Sequence, residues 1–149
     1  ENNLQHEIVR KMSSNSVYYG KMSEMLKKII LQRKAEAMSY EEYLRQVVEL
    51  AEAILHPETT SNYPDEVKDS AARRALYDYF QNNVELAVDV DNAIRISIQP
   101  EWKRNFQKQQ RIRLAIYKKL LAHMYTEDRA TEETNNVFEI VQRQEEYDA

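Results

Sequence analysis

One glycine, Gly20, serves a chain of 149 residues, and no other feature of the sequence restricts the fold so strongly. Tight hairpin turns need residues that tolerate positive φ, glycine foremost, and an average chain holds about 7% of it. A sheet of hairpin-linked strands is therefore out of reach, and the chain is expected to be all-α. The same scarcity removes phosphate-cradling loops, which need glycines at fixed offsets, so neither a Walker A loop nor a dinucleotide fingerprint can be written here. Cysteine is absent, which excludes a disulfide framework, a thiolate metal site and a thiol nucleophile.

Helical periodicity then divides the chain. A short first helix is expected over Leu4–Met12, broken by Ser13, Ser14, Asn15 and Ser16. A second runs from Val17 to about Arg33, with Tyr18, Met22, Met25, Leu26, Ile29 and Ile30 on its apolar face. Ser39 stands three residues before Glu42, the spacing of a capping box, and opens a third helix. Its core face reads Tyr40, Tyr43, Leu44, Val47, Ala51, Ile54 and Leu55, up to the stop at His56-Pro57.

Residues 56–65 hold two of the three prolines among small polar residues, and a hinge is expected there within one helical domain spanning 1–149. Ser70 is placed to cap a helix to Phe80, and Asn82 and Asn83 to cap another from Val84 to about Ile98, closed by Pro100. A long helix from near Arg104 to Tyr125 and a last one over about Thr131–Arg143 complete a compact bundle of about six or seven helices without a sheet.

The formal charge of −4 argues against a protein that coats nucleic acid with its whole surface. Positive charge is nevertheless concentrated in 101–119, where Lys103, Arg104, Lys108, Arg111, Arg113, Lys118 and Lys119 face one acid, Glu101. On a helix, Arg104, Lys108, Arg111 and Lys118 share a stripe, with Leu114, Ile116, Tyr117, Leu120, Leu121 and Met124 roughly opposite. Lys103, Arg104, Lys108, Arg111 and Lys118 are thus the candidate contacts for DNA phosphates or an acidic protein surface. A solvated face is the plainer reading, since an amphipathic helix needs a charged side in any case. The ten tyrosines fall mostly on apolar stripes and read as core residues with a polar edge rather than as base-stacking platforms.

No catalytic, cofactor or metal motif emerges. His6-Glu7-Ile8-Val9-Arg10 opens like a zinc-protease helix but has arginine where the second histidine belongs. Asp89-Val90-Asp91-Asn92 lacks the glycine and closing glutamate of a calcium loop, and a solvated helix face is expected for it. Asp78, Asp89 and Asp91 remain as scattered carboxylates from which a pocket could be assembled. With a mean hydropathy of −0.77 and no apolar run near the ~20 residues of a membrane span, no membrane partner is expected.

Seven segments together resemble the C-terminal region of the restriction subunit of type I restriction–modification enzymes, over nearly the whole chain. They are Tyr18-Tyr19-Gly20-Lys21-Met22-Ser23-Glu24, Ser39-Tyr40-Glu41-Glu42-Tyr43-Leu44, Tyr63-Pro64-Asp65 and Arg74-Ala75-Leu76-Tyr77-Asp78, then Asn92-Ala93-Ile94, Trp102 with Asn105, and Ile140-Val141-Gln142-Arg143-Gln144 with Tyr147. Their order and spacing carry the likeness. Two connections depart from the family pattern, with Gln81-Asn82-Asn83 and Arg104 where glycine-containing loops are the rule.

The resemblance implies a fragment of a longer bacterial or archaeal cytoplasmic polypeptide, as the start at Glu1 without an initiator Met also suggests. The parent would be an ATP- and Mg²⁺-dependent DNA-translocating endonuclease whose nuclease and motor residues lie outside this sequence. This helical part would be no enzyme and hold no cofactor. It would dock the subunit onto the methyltransferase and specificity subunits, meeting DNA through the whole complex. Direct contact with duplex DNA through the basic residues 103–119 is the alternative.

Overall fold

Most of the longer helices begin at a side chain that accepts a hydrogen bond from an otherwise unpaired N–H of the first turn. In the computed structural model, which describes residues 2–149, Asn15 accepts from Tyr18 N, Ser39 from Glu42 N and Ser70 from Arg73 N. Asn83, Asn105 and Thr126 do the same for Leu86, Lys108 and Arg129. Six of the nine α-helices among the described residues start in this way, and no strand occurs there. They are α1 (Asn2–Lys11), α2 (Ser16–Lys34), α3 (Tyr40–Leu55), α4 (Pro57–Thr60), α5 (Asp65–Lys68), α6 (Ala71–Tyr79), α7 (Val84–Ser97), α8 (Phe106–Ala122) and α9 (Glu127–Gln142). Two 3-10 turns, at Trp102–Arg104 and Glu145–Tyr147, complete the list.

The all-α expectation holds, and the count exceeds it because 56–65 is not plain loop: Pro57 at the first position of α4 presets φ for a helical turn, and α5 starts after Pro64. The chain divides into two units, the first ending at Tyr63 and the second running Pro64–Ala149, so the division falls inside that segment.

In the first unit α1, α2 and α3 pack on one another around Ile8, Tyr18, Tyr19, Met22, Leu26, Ile29, Leu50 and Ile54. Tyr18 shows why a tyrosine serves here: its ring is buried while its hydroxyl donates to Ala53 O at 2.6 Å and lies 2.7 Å from the Ser61 hydroxyl. The α3 core face differs from the expected one. Leu50 and Ile54 are buried and Tyr43 and Val47 half-buried, whereas Tyr40, Leu44 and Leu55 are exposed. Half of the capping box forms, because the Glu42 carboxylate is held by Arg45 and Gln46.

In the second unit α7 lies between α6 and α8, and α9 closes over α8 and α6. Leu76, Phe80, Leu86, Val90, Ile94, Trp102, Ile112, Ile116, Leu120, Val137, Phe138, Val141 and Tyr147 are among its buried apolar residues. The C-terminal turn is built into this core, with Trp102 Nε1 donating to Tyr147 O at 2.8 Å and the Trp102 ring edge-on to Phe138.

Glycine is misplaced relative to backbone need. Gly20 sits inside α2 without positive φ and with open space where a Cβ would lie, while Glu36, Gln81, Asn82, Glu101 and Met124 adopt left-handed φ. Gln81 and Asn82 occupy the turn after Tyr77-Asp78 where the resemblance leads one to expect glycine. A left-handed L-residue costs about 1–2 kcal/mol, and glycine within a helix about 0.5–1 kcal/mol. Gly20→Ala and Gln81→Gly should therefore each stabilise their own unit, by about 0.5–1 kcal/mol. Urea denaturation read by circular dichroism, with no gain from either change, would show these backbone assignments to be mistaken.

Candidate interaction surface

The residues 101–119 do not form one helix. Trp102–Arg104 makes a separate 3-10 turn, Asn105 is extended at φ −130° and α8 starts at Phe106, so Arg104 lies outside the stripe assigned to it. The cause is Trp102, whose burial beneath the C-terminal turn takes priority over helix continuation. Lys103 is paired with Asp148 and stacked over the Trp102 ring. Lys108 donates its ammonium to Pro100 O. Arg113 bonds Asn135 and lies 4.2 Å from the Phe138 ring centroid, which commits it to structure.

Arg104, Arg111 and Lys118 remain as exposed cations without a carboxylate partner among the described residues. Arg111 and Lys118 lie within about 20° of each other around α8, at 100° per residue. The core face of the helix is Ile112, Ile116 and Leu120. Leu114 and Met124, expected on that face, are 52% and 90% exposed: Leu114 lies outside the buried ridge, and Met124 falls beyond the end of α8 in a left-handed turn. Leu114 instead belongs to an outer apolar stripe with Phe106, Tyr117 and Leu121, of which Phe106 is 71% exposed. The candidate residues thus separate into two structural cations, Lys103 and Lys108, and an outer face of α8 where Arg111 and Lys118 border an apolar stripe.

The scattered carboxylates are engaged elsewhere. Asp91 is fully buried, not on a solvated face as expected, because it lies where α6, α7 and the C-terminal turn meet. It accepts from Arg73 Nε at 2.6 Å, Arg95 Nε at 2.9 Å and the Tyr147 hydroxyl. Burial, together with the Asp91 charge, pushes the Tyr147 phenol far up, so it stays a donor. Arg95 also bonds Glu146, whose carboxylate takes Ala72 N and the Ser70 hydroxyl at the start of α6. Asp89 pairs with His123 Nε2 at 2.8 Å, joining α7 to the end of α8. Among the described residues no group of three or more His, Asp or Glu side chains could hold a metal ion. No helix there is long and apolar enough to cross a membrane.

Glu146 gives this network an acid limit. Burial raises its pKa, but Ala72 N–H, Arg95 and Ser70 outweigh that and hold it below the ordinary 4.5. A depressed carboxylate pKa stabilises the fold above the unfolded value, and that stability is lost as pH falls through the folded value. The gap in urea midpoint between the native chain and Glu146→Gln should therefore be widest near neutrality and close as pH drops below 4.5. A gap independent of pH would remove the charge from the account.

No family model, curated protein or solved structure matches this chain. The functional reading accordingly rests on the segments that resemble restriction subunits and on the chemistry of the surfaces.

Proposed function

We propose that this chain is a docking module: the helical part by which the restriction subunit of a type I restriction–modification enzyme is held on its methyltransferase core. The outer face of α8 is the contact. One observation carries the choice of a protein partner, namely that the unpaired Arg111 and Lys118 border exposed Leu114 and Phe106 on the same helix. Interfaces combine apolar anchors with arginine, whereas a surface that only follows phosphates is built from cations and hydrogen-bond donors. In this reading the motor and nuclease chemistry, with its ATP and Mg²⁺, belongs to other parts of the subunit, and the specificity subunit and DNA are met through the assembly.

The test is Arg111→Glu with Lys118→Glu in the intact subunit, since both side chains are exposed and the fold should survive. Capture by the methyltransferase should fall at least about tenfold, the scale of losing 1.4 kcal/mol, while circular dichroism is unchanged. Undiminished capture would refute the assignment. The exposed cations also support a second reading, direct contact with duplex DNA. There the double change should leave capture alone and flatten the salt dependence of DNA binding, by about one unit of slope per lost phosphate contact.

A further inference from the structure

Two helices in this chain carry outward apolar stripes, exposed on α3 and partly exposed on α8, bordered by opposite charge. On α3, Tyr40, Leu44, Val48 and Leu55 are all exposed and fall within an arc of about 80°. Glu41 and Glu52 border this stripe and form no ion pair among the described residues, while Arg45 is already bound by Glu42 and Glu49. On α8, exposed Phe106 and Leu114 and half-buried Tyr117 and Leu121, whose inner edges pack on the core, cover an arc of the same width around Gln110, bordered by Lys118 and Arg111. The helices have 16 and 17 residues, so the stripes match in length.

We propose that copies of this chain associate by laying α3 of one copy antiparallel along α8 of another. Pairing Tyr40 with Leu121 and Leu44 with Tyr117 brings Leu55 to Phe106 and Val48 to Leu114. In the same register Glu52 falls beside Arg111, and Glu41 lies within one turn of Lys118. Direction is fixed by the charges. Going round either helix in the direction of rising residue angle, the charged border follows the apolar stripe, and antiparallel helices bring like-sided borders together. A parallel pair would put each border against the partner's core side. Pairing α3 with a second α3 would set Glu41 and Glu52 against acids, which disfavours that alternative.

The inference shares the α8 face with the proposed docking function, so self-association and partner capture compete, and α3 variants separate them. Sedimentation of the purified chain should show a mass rising above 17.7 kDa with concentration. Glu41→Lys with Glu52→Lys should weaken association at least about tenfold, as should Arg111→Glu with Lys118→Glu, and all four changes together should restore it. Val48→Asp should abolish it while circular dichroism is retained. A monomer at every concentration, or association indifferent to both charge reversals, overturns the proposal. The α3 reversal should leave methyltransferase capture intact. If capture survives it and self-association was never present, only this inference falls; if capture withstands the α8 reversal, the docking function falls instead.

Discussion

Tyr147→Ala should cost the second unit about 3–5 kcal/mol, the range for truncating a large buried aromatic, against a total of about 5–15 kcal/mol for a typical domain. Tyr147 is the third residue from the end of the sequence yet 1% exposed, one of the largest fully buried side chains in its unit. Its ring lies 5.3 Å from the Arg95 guanidinium, its carbonyl accepts from Trp102 and its hydroxyl donates to Asp91. The alanine variant keeps the carbonyl, so the loss is the cavity plus one of the two hydrogen bonds to Asp91 Oδ1, which retains Arg95 Nε. Tyr147→Phe isolates the hydroxyl and should cost about 1.5–3 kcal/mol, the value of a hydrogen bond to a charged group. Trp102, the only tryptophan, reports on this unit, so urea unfolding followed by its fluorescence reads both variants. A loss below about 1 kcal/mol for the alanine would mean that the C-terminal turn is not part of the core.

Local signals were legible in the sequence and long-range ones were not. Ser39, Ser70 and Asn83 announce their helices because a cap acts three residues away, and the scarcity of glycine foretells the absence of hairpin strands. The onset of α9 lies a turn before the expected Thr131: Thr126 caps the helix by accepting from Arg129 N, a start without an apolar residue to mark it. Periodicity located the apolar side of α3 but missed buried Leu50 and did not show which half is covered. Val47 and Ile54 face α1 and α2, while Tyr40, Leu44 and Leu55 read as core because a stripe of about 120° looks the same whether one neighbour packs on it or two. On α8 the start expected near Arg104 falls at Phe106, because Arg104 is held in the 3-10 turn with buried Trp102 and Asn105 is the extended cap. The ring of contacts around Asp91 joins residues 18, 51 and 56 positions apart, and no local pattern encodes such pairs.

Asp91→Ala should be nearly as damaging as loss of Tyr147. Removing one partner from a buried ion pair costs about 3–5 kcal/mol, because the remaining charge stays desolvated and unopposed. Here two cations remain. Arg73 and Arg95 keep side-chain exposures of 27% and 40%, so water relieves part of the cost, and a loss of about 3 kcal/mol is expected. Arg95 retains Glu146, which keeps the C-terminal turn tied to α7 by one bond when Asp91 is gone. Asp91→Asn preserves volume and can still accept hydrogen bonds but no longer neutralises either guanidinium, so it should fall between the native chain and the alanine variant. Asp89→Ala is the matched control on the same helix. Its carboxylate is 41% exposed and its partner is a single histidine, which places the expected change at about 1 kcal/mol or less. All three are read by urea unfolding at neutral pH through Trp102. Equal losses for Asp89→Ala and Asp91→Ala would mean that α7 tolerates the buried charge no better and no worse than an exposed one, and that the network does not organise the second unit.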